Sequence, residues 1–156
     1  MLKPLKYISY AIVFQEVPNE ISLVFNISGC PHHCEGCHSQ YLWDYEGDNL
    51  LPINIINVIN KYKDYITCVC FMGGDQNIEE LTQALKICKN LGYKTCLYSG
   101  ASEVSIKILK YLDWIKLGKY DKKLESNNHI EHGVKLATTN QHMYKIEHKD
   151  GKVMIT

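Results

Sequence analysis

Several features that would assign a function quickly are missing from this sequence. Lys plus Arg and Asp plus Glu each number 17 in 156 residues, so the formal net charge is zero. No basic stripe of the kind that neutralises a phosphate backbone is present, and no nucleic-acid partner is expected. Long apolar runs are lacking as well. None approaches the roughly 20 residues of a membrane helix, and Lys3, Lys6 and Ser9 interrupt the apolar stretch from Met1 to Phe14. With no small-residue cleavage site after that stretch, the expectation is a cytoplasmic protein without a membrane partner. Internal repeats and low-complexity segments are also wanting, and 46% hydrophobic residues with 11 tyrosines argue against disorder. The length suits a single domain spanning residues 1–156.

Cysteine, by contrast, is abundant. Seven in a chain with no export signal are not expected to form disulfides, because cytosolic thiols are kept reduced. Cys30, Cys34 and Cys37 stand close together while Cys68, Cys70, Cys88 and Cys96 are scattered, which is not a pairing pattern. Metal binding is the leading reading.

Tyr7–Phe14 and Ile21–Ile27 read as strands joined through Val17-Pro18-Asn19. Leu51-Pro52 opens a helical pattern that runs to Tyr62, and Ile66–Met72 is a short apolar strand ending in Gly73-Gly74-Asp75. Ile78–Leu91 has helical spacing and stops at Gly92. Tyr93–Tyr98 reads as a strand, Val104–Leu112 as a helix and Trp114–Leu117 as a further strand, while Ser126–His132 reads as a polar loop. This alternation predicts βα units on a mainly parallel sheet, with reactive residues in the loops after the strands. A full eight-unit barrel needs about 250 residues. The expected fold class is therefore α/β, a partial, open βα barrel or curved sheet. Met143–His148 and Lys152–Ile155 flank Asp150-Gly151 and predict a C-terminal β-hairpin.

In Gly29-Cys30-Pro31-His32-His33-Cys34-Glu35-Gly36-Cys37-His38, three cysteines fall within one short loop. A cubane iron–sulfur cluster normally takes four thiolates, so three leave one iron open to another ligand. The alternative is a zinc knuckle with His32, His33 or His38 as fourth ligand and no catalysis. Gly73-Gly74-Asp75 ends the next core strand, where glycines let a ligand approach the backbone and an acid suits an ammonium group. Cys68 and Cys70 share a strand face in an apolar run and read as core, as do Cys88 and Cys96. Asp113 and Lys116 read as a solvated charge pair near a strand start, and His129, His132, His142 and His148 show no ligand spacing with the cysteine loop.

The cysteine loop resembles that of the radical S-adenosylmethionine superfamily. The resemblance implies a [4Fe-4S] cluster on Cys30, Cys34 and Cys37 and S-adenosyl-L-methionine near Gly36, Cys37, His38, Gly73, Gly74 and Asp75. Many members carry an aromatic residue before the last cysteine. Gly36 departs from that, as activating enzymes of anaerobic ribonucleotide reductases do. Cys37–Asp44 resembles the stretch after the cluster in glycyl-radical activating enzymes generally, and Leu97-Tyr98-Ser99-Gly100, Gly118-Lys119-Tyr120-Asp121 and Thr138-Thr139-Asn140-Gln141 resemble successive segments of the reductase activators. The implied function is generation of a glycyl radical on the large catalytic subunit of an anaerobic ribonucleotide reductase, with a small protein as electron donor. A small metabolite, another glycyl-radical enzyme, or a non-catalytic zinc-binding role stand as alternatives.

Overall fold

The computed structural model describes residues 3–30 and 40–156. Its elements follow in the order β1 (Lys6–Val13), β2 (Ser22–Ile27), β3 (Asp48–Asn49), α1 (Pro52–Tyr62), β4 (Cys68–Met72), α2 (Ile78–Asn90) and β5 (Lys94–Tyr98). Then come α3 (Ile106–Leu109), β6 (Trp114–Leu117), β7 (Ile130–Glu131), β8 (Val134–Lys135), β9 (His142–Lys149) and β10 (Lys152–Ile155). Eight strands form one sheet in the spatial order β10-β9-β6-β5-β4-β2-β1-β3, and β7 pairs with β8 apart from it.

The expected α/β partial barrel is not what forms. The four anticipated core strands do pair in parallel, β2 with β4, β4 with β5 and β5 with β6. On either side, however, the sheet is completed by antiparallel strands: β1 and β3 beyond β2, and β9 with β10 beyond β6. Antiparallel neighbours need no helical crossover. The described residues accordingly hold three α-helices against a mixed sheet of eight strands, a mostly-β architecture in place of a βα barrel.

The third helix is also shorter than its sequence pattern. Ser105 caps it, its hydroxyl accepting from the Lys107 N–H at 3.2 Å, but past Leu109 the hydrogen bonds shift to the three-residue spacing, Tyr111 to Ile108 and Leu112 to Leu109. A tighter turn follows, and the helical run does not reach Leu112. Within Ser126–His132, read as loop, Ile130 and Glu131 instead form β7, paired with β8.

Strand alternation divides the apolar residues between two faces. Leu23, Phe25, Ile27, Val69, Phe71, Leu97 and Ile115 pack against Ile55 and Ile59 of α1, Leu81, Leu85 and Cys88 of α2, and Ile108 of α3. Phe25 and Phe71 stack with ring centroids 5.7 Å apart at the centre of that layer. On the other face Val24, Cys68, Cys70, Cys96 and Met143 lie beneath Val17, Val134 and Leu136, which belong to irregular segments and to β8. The C-terminal hairpin turns at Asp150 and Gly151, both with positive φ (53° and 74°), the combination a two-residue turn between right-twisted strands requires. No helix among the described residues is long and apolar enough to cross a membrane.

Candidate functional site

Because β2, β4, β5 and β6 run parallel, the segments leaving their C-terminal ends share one edge of the sheet. After β2 the chain is held in a narrow neck. Buried Ser28 donates its N–H to the Lys6 carbonyl at 2.9 Å and its hydroxyl to the Glu46 carbonyl at 2.6 Å. The Gly29 N–H donates to the Asp44 carbonyl at 3.1 Å and the Cys30 N–H to the Leu42 carbonyl at 2.8 Å. Residues 28–30 and 42–46 thus run side by side, so the chain leaves and returns through one point. Tyr45 packs alongside Gly29, donates its hydroxyl to the Pro4 carbonyl at 2.5 Å, and lies under the ammonium groups of Lys3 and Lys6 at 5.0 and 4.8 Å from its ring centroid.

After β4, Gly73 and Gly74 both adopt positive φ, 97° and 103°. Side-chain-bearing residues rarely take these angles, so the backbone itself calls for glycine. A β-carbon on Gly74 would meet Leu5, Ile27 and Leu81 at 3.4–3.6 Å, and one on Gly73 would meet the Ile27 carbonyl at 3.5 Å. Both directions lead into the protein. The pair therefore serves a sharp turn first, and clearance for a ligand is not what the missing side chains provide. This turn is fastened to β5: the Gly73 N–H donates to the Tyr98 carbonyl at 2.9 Å, and the Ser99 hydroxyl donates to Asp75 Oδ2 at 2.8 Å while accepting from the Ala101 N–H at 3.0 Å. Gln76, which the sequence reading passed over, donates its side-chain amide to the Gly29 carbonyl at 3.0 Å. One side chain thereby joins the glycine turn to the peptide that precedes Cys30.

The later segments also converge. Gly118 follows β6 with φ of 111°, and a β-carbon there would sit 2.8 Å from the Asn140 carbonyl oxygen and 3.0 Å from the Gln141 α-carbon. Asn140 donates its side-chain amide to the Lys119 carbonyl at 2.9 Å, and Gln141 donates its own to the Gly118 carbonyl at 3.3 Å. The Gln141 side-chain oxygen in turn accepts from the Ala137 and Thr138 N–H groups at 3.2 and 3.1 Å. Gly118-Lys119 and Thr138–Gln141, singled out as separate motifs, are one interlocked structure next to the β6 end.

Of the candidate ligands, Cys30 is partly exposed at the neck, whereas Cys34, Gly36, Cys37 and His38 lie outside the described residues. The other four thiols are fully buried. Burial pushes the Cys88 thiol up to about 12 and raises those of Cys68 and Cys96 as well, the Cys70 thiol adding to the effect on both of the latter. Thiolate is the metal-binding form. Among the described residues, then, Cys30 is the thiol suited to hold an iron–sulfur cluster, and its position on the same edge as Gly73–Asp75 fits such a group. Asp113 is placed differently from the solvated charge expected. It accepts from Lys89 at 2.7 Å and from the Thr95 N–H at 2.9 Å, tying α2 to the opposite end of the strands. Lys116 sits over the Tyr98 ring, 5.4 Å from its centroid.

Over 113 residues the chain is 33% identical to the anaerobic ribonucleoside-triphosphate reductase-activating protein of Enterobacteria phage T4, covering 65% of this chain and 72% of that protein. Residues 21–142, from β2 through the Gln141 lock to the start of β9, match the family model described as a 4Fe-4S single cluster domain. With that match running across the neck, the glycine turn and the Gly118 lock alike, the chain belongs to the 4Fe-4S single cluster domain family.

Proposed function

We propose that residues 1–156 act as one radical S-adenosylmethionine domain that installs a glycyl radical on an anaerobic ribonucleoside-triphosphate reductase, drawing its electron from a small donor protein. The observation that carries this reading is the Gln76 to Gly29 hydrogen bond, 3.0 Å long, which unites the cysteine neck and the glycine turn at one sheet edge. Similarity to the T4 activating protein supports the choice of partner.

In this reading Cys30, Cys34 and Cys37 hold a [4Fe-4S] cluster, and Gly36, Cys37, His38, Gly73, Gly74 and Asp75 surround S-adenosylmethionine. When bound, these two groups supply a carbon-centred radical strong enough to take a hydrogen atom from glycine. The chain's own residues orient and shield. Asp75, held by the Ser99 hydroxyl, presents its carboxylate at a fixed place, where it would accept the ammonium of the methionyl end. Gly73 and Gly74 contribute a turn whose backbone is aimed by the Tyr98 and Asn77 hydrogen bonds.

The deciding experiment mixes the reduced, cluster-loaded protein with S-adenosylmethionine and the reductase, and records the electron paramagnetic resonance doublet of a glycyl radical. Signal with the intact reductase, and none when its C-terminal glycine is alanine, supports the proposal. Cleavage of S-adenosylmethionine without the doublet would reassign the substrate to a small metabolite or another glycyl-radical enzyme. Cys30→Ala should abolish cluster and cleavage together; a colourless, zinc-loaded wild-type protein would make the chain a metal-binding adaptor instead.

A further inference from the structure

Away from the cysteine neck, three side chains from the irregular segment and β9 converge. His129 precedes β7, Glu131 lies within it, and His142 begins β9. Their imidazole nitrogens and carboxylate oxygen all fall within 4.8 Å of one another. His142 Nδ1 is 2.9 Å from Glu131 Oε2, and His129 Nε2 is 3.4 Å from the same oxygen. The other carboxylate oxygen is occupied by the Met143 N–H at 3.0 Å, which fixes the plane of the carboxylate and leaves Oε2 facing both rings. The Gln141 carbonyl oxygen stands 2.8 Å from His129 Nε2.

We propose that His129, Glu131 and His142 form a binding site for a divalent first-row transition ion, with zinc the best match, held by two imidazoles and one carboxylate and open to solvent at a fourth position. Around a tetrahedral zinc with bonds of about 2.0–2.2 Å, neighbouring ligand atoms lie roughly 3.3–3.6 Å apart. The His129 to Glu131 separation already has that value, and the His142 to Glu131 separation needs to open by a few tenths of an ångström. Two histidines and a carboxylate are donors that zinc accepts readily, and the Met143 amide supplies the outer-shell hydrogen bond that orients a ligating carboxylate. All three side chains are partly exposed, at 19%, 27% and 45%, so an ion can reach them from solvent. The ion would replace the hydrogen bonds now joining the three groups, and His129 Nε2 would release its proton to solvent and give up its bond to the Gln141 carbonyl. Its effect would be to clamp the β7–β8 segment, which covers the cysteine-lined face of the sheet, onto the first residue of β9.

The cysteine loop is a competing zinc site, so the measurement must tell the two apart. Cluster-loaded protein, prepared without oxygen and freed of other metals by a chelator, is supplied with one equivalent of zinc and its zinc K-edge X-ray absorption recorded. The proposal expects a shell of nitrogen and oxygen alone at about 2.0–2.1 Å. Glu131→Gln should weaken zinc binding by at least about tenfold, since even outer-shell changes cost that much, and His142→Ala should do the same. Sulfur scattering at about 2.3 Å, no binding at micromolar zinc, or an affinity unchanged in both variants would each overturn it. The wild-type spectrum decides the matter even where a variant fails to fold, and the test is independent of whether the chain activates a reductase.

Discussion

The two faces of the sheet are closed by different means. One is covered by α1, α2 and α3, whose apolar residues recur at helical spacing and meet Phe25, Phe71 and Leu97. The other is covered by Val17, Val134 and Leu136 from irregular segments and a two-residue strand, over Cys68, Cys70 and Cys96. The helical cover carries its own backbone hydrogen bonds. The irregular cover depends on particular contacts, chiefly those linking Gly118-Lys119 with Asn140-Gln141. Stability on the first face is thus spread over many apolar contacts, while on the second it is concentrated at a few fixed points.

The largest effect should come from the helical face. Phe71→Ala removes a fully buried ring stacked on Phe25 and should cost about 3–5 kcal/mol, read by thermal or denaturant unfolding. Cys70→Ala, its neighbour on the other face, should cost nearer about 1 kcal/mol. Equal losses would mean that the cysteine face is packed as densely as the helical one.

Next in size is a pair of glycine replacements. Gly118→Ala combines positive φ with a β-carbon 2.8 Å from the Asn140 carbonyl, and should cost about 2–4 kcal/mol. Gly92→Ala at the end of α2 has a similar φ, 93°, but meets nothing within 4 Å, and should cost only about 1 kcal/mol of backbone strain. If the two came out alike, the lock beside β6 would not be holding the irregular cover in place.

The smallest effect is one of reactivity. At pH 8 a thiol at about 12 is ionised to about one part in ten thousand, so Cys88 should resist maleimide in the native protein. Cys68 and Cys96, whose thiols burial also raises, should resist too. Mass spectrometry after timed labelling checks this. Labelling of Cys68, Cys70 and Cys96 ahead of Cys88 in Gly118→Ala would show the irregular cover opening by itself, whereas simultaneous labelling of all four would point to global unfolding.

The same division explains what the sequence discloses. The parallel strands were legible because each is a short apolar run bounded by turn residues, and α2 because its spacing ends at Gly92. The Asp150-Gly151 hairpin was legible for the same local reason. The place of that hairpin in the sheet was not. In β9 the buried residues are Met143 and Ile146, three apart and belonging to opposite faces, so neither alternation nor a continuous run marks the strand's partner. Its pairing with β6 is fixed by contacts distant in sequence, and with β1 it turns an expected barrel into a mixed sheet. At the candidate site, Cys30 and Gly73-Gly74-Asp75 stand out in the sequence as candidates through residue type and spacing. Gln76 was missed because a single glutamine after a turn carries no pattern. His129 and His142 were compared only with the cysteine loop, and Glu131, which lies between them in space, carries no motif of its own.

The neck at Gly29 and Cys30 has a kinetic and entropic consequence. Bringing the ends of a flexible loop together costs about (3/2)RT ln n for n residues, on top of a constant. The Cys30 to Leu42 and Gly29 to Asp44 hydrogen bonds, with Ser28 anchored to Glu46, meet that cost within the folded protein before any ligand arrives. Cys30 and Leu42 are therefore held side by side by the fold itself, as the mouth of a purse is held at its drawstring.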